Sequence, residues 1–105
     1  MIIYNVTISI DASESEKWLT WMRTKHIPDV LNTGCFLEAK LSKIIGEEEG
    51  GLAYSVMYLC ASQEILDTYN AQYAPALQKE HLEYFSGKFA AFRTHLPLIE
   101  VFNPS

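Results

Sequence analysis

Two side chains in this sequence stand out for the chemistry they could do. His26, in Lys25-His26-Ile27-Pro28, carries an imidazole that titrates near neutral pH and can take or give a proton. Arg93, between Phe92 and Thr94, carries a permanent guanidinium that can hold an anion or a developing oxyanion. Asn5 adds a polar anchor, Glu38 a carboxylate and Tyr73 a phenol. Each has a plainer structural role. His26 can cap carbonyls freed by Pro28, Arg93 can pair with Glu38, and the tyrosines can bury their rings and leave hydroxyls at a cavity wall. His81, surrounded by Lys79, Glu80 and Glu83, reads as a surface or helix-end residue, and His95 as exposed.

The elements that must position these groups follow from periodicity. Met1 to Ile10 alternates, with Ile2, Tyr4, Val6, Ile8 and Ile10 on one face and Asn5, Thr7 and Ser9 on the other, as a half-buried strand requires. Ser13 and Glu16 have the spacing of a capping box, so a helix is expected from there. Trp18, Leu19, Met22, His26, Val30 and Leu31 form its apolar stripe, and Gly34 supplies the turn after its end. Pro28, without an N–H, predicts a kink or restart near His26 to Pro28. Cys35 to Ile45 reads as a second strand, with Cys35, Leu37, Ala39, Leu41 and Ile45 on one face and Glu38, Lys40 and Ser42 on the other. Gly46 to Gly51 reads as an acidic hairpin loop, followed by a strand from Leu52 to Ala61. Ser62 opens a second helix, interrupted at Pro75 and closed by Gly87, and a last strand runs from Lys88 to Leu96. Pro97 breaks that last ladder.

The order β-α-β-β-α-β is that of the ferredoxin-like split βαβ arrangement, an α+β fold whose two helices cover one face of an antiparallel sheet. His26-Ile27-Pro28 and Tyr73-Ala74-Pro75 align at an offset of 47 residues, so the two halves look like pseudo-copies. The other sheet face carries Asn5, Thr7, Ser9, Glu38, Lys40 and Ser42 mixed with Ile3, Phe36, Met57 and either Arg93 or its neighbours. A surface of mixed polarity like this suits a partner: two such sheets meeting across a twofold axis make a homodimer.

Composition narrows the surroundings. The chain has 105 residues, 49% of them apolar, and a formal charge of −5. This suffices for one core and excludes disorder. Eight scattered cations against 13 acidic residues make nucleic acid and anionic membranes poor partners. No apolar run approaches the roughly 20 residues of a membrane span, and a cytoplasmic address is expected. Cys35 and Cys60 read as buried hydrophobes. Three histidines and two cysteines form no local ligand pattern, so no metal is expected; phosphate-binding glycine motifs and a nucleophile elbow are likewise missing.

Trp18-Leu19-Thr20-Trp21-Met22, His26-Ile27-Pro28, Thr33-Gly34, Ala74 to His81 and Phe85 to Thr94 together resemble a family of small bacterial proteins of unknown function. The likeness covers nearly the whole chain. It implies a subunit of the dimeric α+β barrel kind, a superfamily that includes antibiotic-biosynthesis monooxygenases, EthD-like proteins, muconolactone isomerases and haem-degrading oxygenases. His26 looks like the similarly placed histidine of EthD-like barrels. The family often places histidine where this chain has Tyr73.

The expectation is therefore one domain over residues 1–105, dimeric through its open sheet face, binding a small, largely apolar molecule without a cofactor. Cofactor-independent oxygenase or isomerase chemistry is the activity such a pocket suggests. His26 would transfer protons and Arg93 would hold an anion, with Asn5, Tyr73 and Glu38 binding the ligand. The alternative is a non-enzymatic dimerisation or protein-interaction module. A haem-degrading reading through Asn5 and His81 ranks third.

Overall fold

In a computed structural model, which describes residues 1–46 and 50–105, four strands form one antiparallel sheet in the order β2-β3-β1-β4. They are β1 (Ile2–Asp11), β2 (Glu38–Ile44), β3 (Gly51–Cys60) and β4 (Phe89–Pro97). The helices are α1 (Ser15–Trp21), continued by a π-helical turn Met22–His26 into α2 (Ile27–Leu31), then α3 (Gln63–Gln72) and α4 (Ala74–Phe85). This is the ferredoxin-like α+β arrangement. The expected acidic hairpin loop includes residues 47–49, which lie outside the described residues.

Alternation on β1 decides which side of the sheet is core. Ile2, Tyr4, Ile8 and Ile10 are buried under the helices, and their neighbours across the ladder, Cys60, Tyr58, Tyr54 and Leu52, share that face. Trp18, Met22 and Val30 from the first helical segment, Leu66 and Tyr69 from α3, and Ala74 and Phe85 from α4 close the core from above.

Both helical layers break at proline for the same reason. A proline at position i cannot donate to the carbonyl at i−4, so the helix must widen or restart before it. At Pro28 it widens: the Ile27 N–H bonds to the Met22 carbonyl, five residues back, and α2 restarts with Pro28 in its first turn. At Pro75 it restarts, with Tyr73 between α3 and α4. The two halves thus share a device as well as a sequence echo. Gly34 and Gly87, each just past a helix end, have φ of +79° and +73°, a conformation only glycine adopts without strain.

Several expectations need correction. The capping box at Ser13 and Glu16 does not form: a 3₁₀ turn, Ala12–Glu14, leads into α1, and Ser15 Oγ donates instead to the Ala12 carbonyl. The second strand begins three residues later than its apolar pattern suggests. Cys35 and Phe36 belong to the preceding loop, where Phe36 is buried against Tyr4, Tyr58 and Tyr69 and so lies off the open face. Leu37 and Ile45, expected inside, are exposed. Pro97 pairs in register with Ile2; at an edge strand its missing N–H need not interrupt the ladder.

Candidate functional site

The register divides the expected site residues between two faces. Val6 pairs with Arg93 and Tyr4 with His95, so Arg93 lies on the helix side of the sheet with Tyr4 and Val6. Asn5 and Glu38 lie on the opposite side. Asn5 accepts a 2.5 Å hydrogen bond from Ser55 Oγ and donates to Thr7 Oγ1 at 3.1 Å, while Glu38 meets Lys40 at 3.7 Å. Asn5 therefore does not share a pocket with His26, and Arg93 cannot pair with Glu38 through the sheet. Tyr73 is exposed in a shallow groove with Asp29, Thr33 and Ala76, away from both groups.

His26 and Arg93 do meet. They line a small cavity of about 30 Å³ between sheet and helices, with Tyr4, Tyr58, Tyr69, Gln78 and His81 as its other polar walls and aliphatic side chains such as Val6 and Met22 among its apolar ones. Four elements deliver these groups. The π turn carries His26, β1 carries Tyr4, the edge strand β4 carries Arg93, and α4 carries Gln78 and His81 at i and i+3, on one helical face. Arg93 as a whole is exposed, so the guanidinium stands at the solvent side of the cavity.

His81 contradicts the reading of a surface residue: it is 4% exposed, and its Nε2 accepts the Trp18 indole N–H at 2.9 Å. Trp21 lies parallel to its ring at 5.5 Å and also stacks on His26 at 4.9 Å. Burial is the main reason that both histidines titrate near 4, well below the usual 6.5, and the Arg93 charge lowers both further. At neutral pH each is an uncharged imidazole. His26 Nδ1 is buried without a hydrogen-bond partner.

The tyrosines behave in the opposite sense. Burial raises Tyr4, Tyr58 and Tyr69, so they are neutral phenols, while the nearby Arg93 charge moderates the shift of Tyr4. The cavity thus combines one fixed cation, one free neutral base and three neutral phenols. The stripe Ala74, Gln78, His81 and Phe85 on α4 was the available signal for Gln78 and His81. The apolar stripe of the first helix marked Trp18 as core, but its bond to His81 had no such signal, because the two lie 63 residues apart.

Among the described residues no group of three acidic, histidine or cysteine side chains is placed to hold a metal ion. No helix is long and apolar enough to cross a membrane among the described residues. Cys35 and Cys60 are free and buried.

The chain is similar in structure to a dimeric ferredoxin-like protein from an uncultured marine organism, at 15% identity and a TM-score of 0.67, over 99% of this chain and 100% of that one. An ethyl tert-butyl ether D (EthD) family protein of Bacillus halodurans matches at 11% identity and 0.63, over 90% and 97%. A Streptomyces coelicolor monooxygenase in complex with nanaomycin D matches at 17% identity and 0.59, over 98% and 92%. At such identities the likeness is one of fold. No curated protein matches the chain. A family model does match it over residues 1–99, and the chain belongs to that family, a domain of unknown function (DUF4286).

Proposed function

We propose that this protein is a homodimer whose helix-side pocket transfers a proton on a small, largely apolar molecule with an acidic C–H or O–H beside a carbonyl, as cofactor-independent oxygenases and isomerases do. One observation carries the reading: a neutral histidine with an unpartnered nitrogen and an arginine at the solvent side line the same cavity. His26, uncharged at neutral pH, accepts the proton. Arg93 faces the anion left behind, and the Tyr4 phenol can share its charge. Reaction of that anion with dioxygen would make the protein an oxygenase; return of the proton to another carbon would make it an isomerase. Dimerisation is supported by the open sheet face, where Ile3, Met57, Leu59, Phe92 and Leu96 lie among polar residues, and by the dimeric description of a structural neighbour.

A second reading has its own support. A volume of about 30 Å³ holds water rather than an organic molecule, so a ligand must displace side chains such as Gln78 and Arg93 at the wall. If it cannot, the fold serves as a dimerisation or protein-interaction module.

Native mass spectrometry of freshly purified protein, followed by His26→Ala and Arg93→Ala, separates the two. A dimer retaining a small molecule that either substitution abolishes is the result expected of the pocket. A dimer that retains nothing and binds none of a panel of small phenols and 1,3-diketones supports the module.

A further inference from the structure

The charge on the wall of the helix-side cavity has no counterpart in its own chain. Among the described residues Arg93 forms no ion pair, and none of the residues that line the cavity is acidic. Asp29, the carboxylate whose charge reaches His26, is bonded to Lys25 instead. The guanidinium acts inward, since its charge is felt at Tyr4, Tyr69, His26 and His81. In a chain with 13 acidic residues and eight cations, such a cavity is a local exception to the overall charge.

The neutral groups beside Arg93 can donate. The Tyr58 and Tyr69 hydroxyls make no hydrogen bond among the described residues, and burial keeps both protonated. His81 accepts from Trp18 at Nε2 and therefore carries its proton on Nδ1. His26 Nδ1 is buried without a partner and becomes a further donor when it holds the ring's single proton. An enclosed anion requires donors of this kind, because each unmatched oxygen costs its desolvation in full.

We infer that the cavity is a carboxylate site: a monocarboxylic acid binds as its anion, with the carboxylate enclosed beside Arg93, Tyr58 and Tyr69 and the rest of the molecule outside. Size selects the head group. One water needs about 10–15 Å³, so a volume of about 30 Å³ takes the two oxygens of a planar carboxylate but neither a ring nor the four oxygens of sulfate or phosphate. A guanidinium matches those two oxygens with two parallel N–H groups. Arg93 is exposed while it lines the cavity, so the entrance lies at β4. His95, exposed on the same face of that strand and edge-on to Tyr4 at 5.5 Å, stands beside the emerging body of the ligand. The inference rests on the pocket proposed above being a ligand site, but not on proton transfer there.

NMR titration of the protein with acetate and benzoate, and with acetamide and benzamide as neutral counterparts at fixed ionic strength, tests the site. Saturable shifts of the His26 and His81 ring resonances are expected with the acids alone. Arg93→Gln is expected to weaken acid binding at least about tenfold, a change of roughly 1.4 kcal/mol. Tyr58→Phe and Tyr69→Phe keep the packed rings and should each weaken it several-fold. Acids and amides that act equally, chloride that binds as tightly as acetate, or acid binding that survives Arg93→Gln overturns the carboxylate site. Neutral 1,3-diketones that bind there when the acids do not overturn it as well, and leave the pocket standing. A cavity whose resonances respond to none of these probes overturns both.

Discussion

Trp18 Nε1 donates to His81 Nε2 across 63 residues of sequence, and both side chains are buried. The bond couples α1 to α4 and determines which His81 nitrogen is free of hydrogen. Because Nε2 accepts, the proton of neutral His81 resides on Nδ1. The same bond opposes charging of His81, since the imidazolium would have to give up this acceptor.

Removing the donor leaves a buried acceptor unsatisfied. Trp18→Phe is expected to destabilise the protein by roughly 1–3 kcal/mol from the orphaned nitrogen, with a further loss from packing. Urea unfolding at pH 7 measures it; an unchanged midpoint would mean that the bond contributes nothing.

Stability should decline with acid in a definite window. Folded His26 and His81 titrate near 4, whereas unfolded histidine titrates near 6.5, so between those values the unfolded state binds more protons. Their contribution is complete above about 6.5 and is lost as pH falls toward 4, to the extent of on the order of 3 kcal/mol per histidine at most. Denaturant midpoints at pH 7 and 5 should differ, and His26→Leu should reduce the difference.

Arg93 lowers both histidines through its charge. Arg93→Gln should therefore raise both values from about 4, read from the histidine ring resonances in an NMR pH titration. Because the residue is exposed, stability should change by less than about 1 kcal/mol. Histidines that titrate as before would remove Arg93 from the electrostatics of the cavity.

The π turn holds one residue more than a regular helix of the same rise. Thr24 lies within it and is exposed. Deleting Thr24 should convert the turn to α-helix while keeping the flanking residues in register, at a cost of about 1–2 kcal/mol. Met22 and Val30 would stay buried and His26 would leave the cavity. Circular dichroism should show a folded protein, and His26 should titrate nearer its usual value.

Phe92 is 69% exposed on the open sheet face. Phe92→Asp should weaken the proposed dimer at least about tenfold, since a carboxylate at an apolar interface must be desolvated. Sedimentation equilibrium would measure this. Monomer stability should change little.

The strands, the helix interruptions at Pro28 and Pro75, and the division of β1 into two faces were legible because each is a local property of backbone and period. The partition of the site was not. Whether Arg93 shares a face with His26 or with Asn5 depends on the pairing of Val6 with Arg93, and a shift of one residue would reverse it. His81 was misread because its charged neighbours Lys79, Glu80 and Glu83 outweighed its place on the Ala74 to Phe85 stripe. Phe36 was misread because its loop is held by aromatic contacts with three distant tyrosines, which leave no periodic trace.

β1 precedes the other three strands of the sheet yet lies inside it, with β4 as one neighbour. Ile2 finds Pro97 across 95 residues and Cys60 across 58. During synthesis β1 can pair with β3 while its other edge stays bare until β4, more than 80 residues further along, has left the ribosome. Loops that long close slowly, so the protein should fold late and at the pace of its last strand.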